Sequence, residues 1–131
     1  MDQDYSYIGN ELELFAETTN WKSYYTNLVL PHIKGKRILE VGAGIGEITK
    51  WLSMGGDYDQ WLSLEPDEVM SSQISSKIKN GELPGFCNVD SKFLSELEKD
   101  DLFDTILYID VLEHIDDDRR EIISALAHLK E

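Results

Sequence analysis

The feature that most limits what this chain can fold into is Arg37-Ile-Leu-Glu-Val-Gly-Ala-Gly-Ile-Gly-Glu47. An apolar run stops there at three glycines on alternate positions, Gly42, Gly44 and Gly46, and Ile48, Trp51 and Leu52 then recur at helical spacing. The pattern reads as a buried strand, a tight turn and a helix start. The turn demands backbone angles that residues with a Cβ avoid, and a side chain would hold any ligand off the main chain. Such a βα unit presents backbone N–H groups to a nucleotide-like ligand.

Spacing narrows the ligand. A dinucleotide site reads G-x-G-x-x-G; here Glu47 stands where the third glycine belongs, and Gly46 comes one residue early. The Gly-Lys-Ser/Thr ending of a phosphate-cradling loop is absent. Glu40 precedes the loop and Glu47 follows it; carboxylates repel a pyrophosphate and attract a cation. The stretch Glu40–Gly46, E-x-G-x-G-x-G, resembles the first motif of class I S-adenosylmethionine-dependent methyltransferases. Their ligand carries a sulfonium and an ammonium and no phosphate. The resemblance implies S-adenosyl-L-methionine as cofactor, S-adenosyl-L-homocysteine as product, and Glu40, Gly42, Ala43, Gly44 and Gly46 in the cofactor site.

A chain of 131 residues is one domain, able to bury about two thirds of its extended surface. Its net charge of −14 argues against nucleic acid, which is bound through Lys and Arg, and against an anionic membrane surface. Cys87 has no cysteine partner, which fits a reducing compartment. The acidic start Met1-Asp-Gln-Asp-Tyr lacks a signal-peptide core, and no apolar run approaches the ~20 residues that span a bilayer. The expectation is a cytoplasmic protein.

Along the chain, Trp21, Tyr24 and Leu28 fit a helix capped by Thr19 or Asn20 and ending near Pro31, its aromatics in the core. Strands are expected at 37–41, 60–64, 86–89 and 104–109, the last buried on both faces. Helices are expected at 46–54, from Pro66 to Lys79, at 91–98 and at 117–129, with Ile122, Ala125, Leu126 and Leu129 as the inner stripe of the last. Met70 reads as core, the alternative being packing on the adenine face of the cofactor. Alternating strands and helices indicate an α/β fold, a Rossmann-like parallel sheet in the order 3-2-1-4 flanked by helices. Residues 1–36 would form an N-terminal helical cap and 37–131 the cofactor-binding core.

In such a sheet the ligand lies over the carboxyl ends of the strands. Glu65 ends the second strand, 25 residues after Glu40, and its carboxylate suits both hydroxyls of a ribose. Pro66 follows it. At the end of the third strand, the resemblance implies that Asn88 or Asp90 accepts from the adenine amino group, and a plain Asx turn explains the same residues. Tyr108-Ile-Asp-Val-Leu-Glu-His-Ile115 resembles the V-L-E-H-[IV] signature of small-molecule methyltransferases such as the ubiquinone-biosynthesis O-methyltransferases. That resemblance implies that Asp110 and Val111 border the methionine part of the cofactor, and a helix-capping carboxylate explains Asp110 equally well; the class I resemblance implies that Tyr24 or Tyr25 could face the cofactor. His114 is a candidate base for an acceptor hydroxyl, or a structural histidine. The histidines and the cysteine show no metal spacing.

The expected activity is methyl transfer to a small molecule, to an oxygen atom; the alternatives are a cofactor-binding module without turnover and an NAD-dependent oxidoreductase. Family members carry about seven strands, and the last three are lacking here. The expectation is a truncated piece of a longer protein, or self-association through the exposed edge of strand 4.

Overall fold

The computed structural model describes residues 23–130 of the chain. The expected cap at Thr19 or Asn20, and Trp21, lie outside them. Helix α1 covers 23–29 and passes into a 3-10 turn, Leu30–His32, with Pro31 in it.

Four parallel strands follow, β1 (Arg37–Val41), β2 (Gln60–Leu64), β3 (Cys87–Asp90) and β4 (Thr105–Tyr108), in the order β3-β2-β1-β4. This is the Rossmann-like order that the sequence predicts. Val41 lies beside Leu64 and Tyr108, and Leu64 beside Asp90. The strands therefore end in one row, and whatever follows each of them meets at one rim.

β1 and β2 are apolar because both their faces are covered. Ile38, Trp61 and Cys87 pack with Leu52 and Ile74, from helices α2 (Glu47–Met54) and α3 (Glu68–Lys79). Leu39, Val41, Leu62 and Leu64 pack on the other face with Leu94, Leu97, Phe103 and Ala125. Each large apolar side chain buried in this way contributes about 1.5–3 kcal/mol. Asp67 caps α3, its Oδ1 accepting from the N–H groups of Val69 (2.9 Å) and Met70 (3.0 Å). Pro66 thus stands before the cap instead of opening the helix. Asp117 caps α4 (Asp118–Leu126) by accepting from Arg120 N–H.

Several local expectations need correction. β4 is half-buried along its length, because among the described residues β1 is its only neighbour in the sheet. On α4 only Ala125 is buried; Ile122 and Leu126 are 44% and 57% exposed. The helix expected at 91–98 is a 3-10 turn, Leu94–Glu96, without a side-chain cap. Met70 lies on the outer side of α3 and is exposed, as are Tyr24 and Leu28 on α1.

Candidate functional site

The turn after β1 is left-handed at each glycine, with φ of 75° at Gly42, 62° at Gly44 and 87° at Gly46. The N–H groups of Gly42 (2.8 Å) and Ala43 (3.1 Å) both donate to the Leu64 carbonyl, fastening the turn to β2. At Gly42 a Cβ would come within 2.6 Å of Val111 Cγ2, so the loop after β4 approaches too closely for any side chain. At Gly44 a Cβ would meet nothing within 4 Å. That backbone borders open space. Gly46 caps α2.

Glu65, 8% exposed, stands one strand over. Its Oε1 accepts from Gly44 N–H and its Oε2 from Asp67 N–H, both at 2.9 Å. A carboxylate offers about four lone-pair positions. Two backbone donors hold the group still and leave capacity for ligand hydroxyls.

Glu40 faces away from this rim. It shares its sheet face with Ile38 and Trp61, where Oε1 accepts from Thr49 Oγ1 (2.5 Å), Trp61 Nε1 (3.1 Å) and Ser63 Oγ (3.5 Å). Desolvation raises its pKa, opposed by those hydrogen bonds. In this structure Glu40 braces strand and helix beneath the loop, because the alternation of a strand sends its side chain to the α2 side.

At the end of β4, Asp110 has φ 55°, and among the described residues no other non-glycine has a positive φ. Tyr25 Oη donates to its Oδ1 at 3.4 Å, bringing α1 to the rim. Desolvation, and then the charge of Asp110, raise the Tyr25 pKa. His114 lies in a 3-10 turn, Leu112–His114. Its side chain is 78% exposed, with Nε2 3.7 Å from Glu113 Oε1.

A cavity of about 470 Å3 opens between these strand ends, lined by Gly42, Glu65, Pro66, Asp110, Val111 and His114. Its size falls inside the roughly 300–1,000 Å3 of small-molecule sites. Ala43, Gly44, Gly46 and Asp90 are not in its lining. Ala43 is buried, and the Asp90 carbonyl accepts from Glu65 N–H (3.1 Å) while its carboxylate lies 3.9 Å from Lys92 Nζ. A larger hollow of about 680 Å3 runs along the outside of α3, shallow and away from the strand ends.

Sequence reasoning missed Lys92, Phe93, Ser95 and Glu121, which also line the cavity. Glu121 accepts a 2.8 Å hydrogen bond from Tyr108 Oη, and burial with that bond raises the tyrosine pKa. No local motif signals a pair built by packing a helix against a strand. Three carboxylates against Lys92 and His114 give the cavity an acidic balance, which suits a cationic ligand.

A methyltransferase-domain family profile matches residues 15–131. The chain belongs to the methyltransferase-domain family. No curated protein sequence matches it. Solved structures similar to this methyltransferase domain include an S-adenosylmethionine-dependent methyltransferase from Clostridium acetobutylicum (18% identity, TM-score 0.68, covering 97% of this chain and 54% of that one). Magnesium protoporphyrin IX methyltransferase from Synechocystis, with bound S-adenosylhomocysteine, gives 16% identity and a TM-score of 0.67, covering 85% and 51%. The [4+2]-cyclase SpnF gives 20% and 0.71, covering 82% and 40%. The chain thus spans about half the length of these neighbours, or less. Among the described residues of the methyltransferase domain, no cluster of His, Cys, Asp or Glu is placed to hold a metal ion, and no helix is long and apolar enough to cross a membrane.

Proposed function

We propose that the methyltransferase domain binds S-adenosyl-L-methionine across the ends of β1, β2 and β4, and serves methyl transfer to an oxygen atom of a small molecule. A [4+2]-cyclase shares the fold, so the reading rests on the site. One observation carries it: Gly44, with open space over its backbone, donates to a nearly buried Glu65, and Glu65 lines the cavity together with Gly42 and Asp110.

Glu65 accepts from the ribose hydroxyls, already held by two main-chain donors. Pro66 borders the nucleoside, and Asp90 or Asn88 accepts from the adenine amino group. Gly42, Asp110 and Val111 face the methionine part, where the Asp110 carboxylate offsets positive charge. When bound, the cofactor supplies a methyl group on a sulfonium, an already activated electrophile. The protein's contribution is then chiefly alignment, with the reacting atoms held about 3 Å apart. His114, at the cavity mouth, takes the proton of an acceptor hydroxyl. The described part of the N-terminal segment, 23–36, acts as a cap, with Tyr25 at the rim. A cytoplasmic setting fits a chain with one cysteine, Cys87, which is buried and free. The open outer edge of β4 is a pairing surface, for further strands of a longer protein or for a second copy.

Calorimetry with S-adenosylmethionine, S-adenosylhomocysteine and NAD tests the reading. The first two should bind and NAD should not; binding of NAD alone overturns it. Glu65→Ala should weaken S-adenosylhomocysteine binding roughly 100-fold, since charged hydrogen bonds contribute about 1.5–3 kcal/mol each. Unchanged affinity removes the ribose role. For His114→Ala, turnover with an identified acceptor should drop roughly 10²- to 10⁴-fold while cofactor affinity holds. Full turnover eliminates the base.

A further inference from the structure

Lys77 lies in the last turn of α3, where a lysine ordinarily serves its own helix's carbonyls. Here its side chain is only 23% exposed and turns to another element. Nζ donates to the Ile45 carbonyl at 2.7 Å, across 32 residues, and lies 4.0 Å from Glu47 Oε1. Ile74, one turn earlier on α3, abuts the same loop: a Cβ on Gly46 would meet its Cγ1 at 3.2 Å.

Ile45 stands between two left-handed glycines. Glycine populates positive and negative φ about equally, and the Ile45–Gly46 peptide is held locally by one neutral turn bond, Gly46 N–H to the Ala43 carbonyl at 3.1 Å. The Lys77 ammonium anchors the carbonyl side of that same peptide, and a charged donor is roughly twice as strong as a neutral one. Glu65 holds one end of the loop at Gly44; Lys77 holds the other at Ile45. Both belong to the β2–α3 segment, so that segment sets how the loop N–H groups point.

We propose that Lys77 is a positioning residue for the cofactor loop, fixing the peptide between Gly44 and Gly46 without touching the ligand. The inference rests on the proposed cofactor site. Its test combines calorimetry of S-adenosylhomocysteine with amide hydrogen exchange of the unliganded chain, on wild type, Lys77→Met and Lys77→Arg. Lys77→Met should weaken binding roughly tenfold, the scale of one lost charged hydrogen bond only partly expressed in binding. Exchange should quicken at Ile45 and Gly46 while Leu39 and Leu62, in the sheet, stay protected. Lys77→Arg should restore most of both. Wild-type affinity in Lys77→Met, or exchange that quickens equally across the sheet, overturns the positioning role. Should wild type not bind S-adenosylhomocysteine, the cofactor reading fails, and the exchange pattern alone still decides whether Lys77 holds the loop.

Discussion

The ends of β1 and β4 face the same cavity and both turn through left-handed backbone, but they do it with different chemistry. After β1 the turn is glycine, open at Gly44, and fastened from outside by the Leu64 carbonyl, Glu65 and Lys77. After β4 it is Asp110, which keeps a carboxylate at the rim at the cost of an unfavourable φ. One end offers bare backbone, its N–H groups at Gly42, Ala43, Gly44 and Gly46 already bonded within the protein; the other offers a charge. Strain held at a cavity by a residue whose side chain is useful there is the pattern of a functional position.

Substitutions can break that contrast. Gly42→Ala should have the largest effect, because a Cβ there meets both a left-handed φ and Val111 Cγ2 at 2.6 Å. Stability should fall by about 2–4 kcal/mol, and cofactor binding should be lost. Denaturant unfolding checks the first and calorimetry the second. Adding Val111→Ala should recover part of the stability; no recovery would mean that backbone angle alone is responsible.

Asp110→Gly sharpens the comparison by making the two ends alike. Relief of the left-handed strain, offset by glycine's greater chain entropy, should leave stability unchanged or raise it by up to about 1 kcal/mol. Binding of S-adenosylmethionine should weaken roughly tenfold, the scale of one exposed charge contact. A loss of both would make Asp110 a structural residue only.

The smallest effect is a slope. Burial raises the Glu40 pKa, so the folded chain favours the protonated form. The unfolded chain ionises at the ordinary value, about 4.3. Stability should therefore be lost as pH rises from that value through the raised folded one, and change no further above it. Urea midpoints measured over that interval should lose this slope in Glu40→Gln. An unaltered slope would assign the titration elsewhere.

How far the sequence is legible follows from the same contrast. β1 and β2 are readable to the residue, because strands covered on both faces are written as apolar runs cut off by glycine or by Glu65-Pro66. The strand order was legible from alternation and from the placing of the glycine turn. β4 and α4 were not: both carry apolar residues that this structure leaves half covered, so Ile122 and Leu126 mimic an inner stripe. Among the site residues, Gly42, Glu65, Pro66, Asp110, Val111 and His114 reach one cavity as spacing suggests. Glu40 has the motif's position but the wrong side of the pleat. Lys77, Lys92 and Glu121 belong to the site region through contacts between distant segments, which no local spacing encodes.

Trp61 is fully buried, with its indole N–H on Glu40, directly beneath the loop. An indole in that setting is an optical gauge built into the foundation of the site: its emission responds to the charge on its hydrogen-bond partner and to water reaching it. Any event that loosens β1 from α2 or ionises that carboxyl therefore changes the protein's own fluorescence, with no label attached.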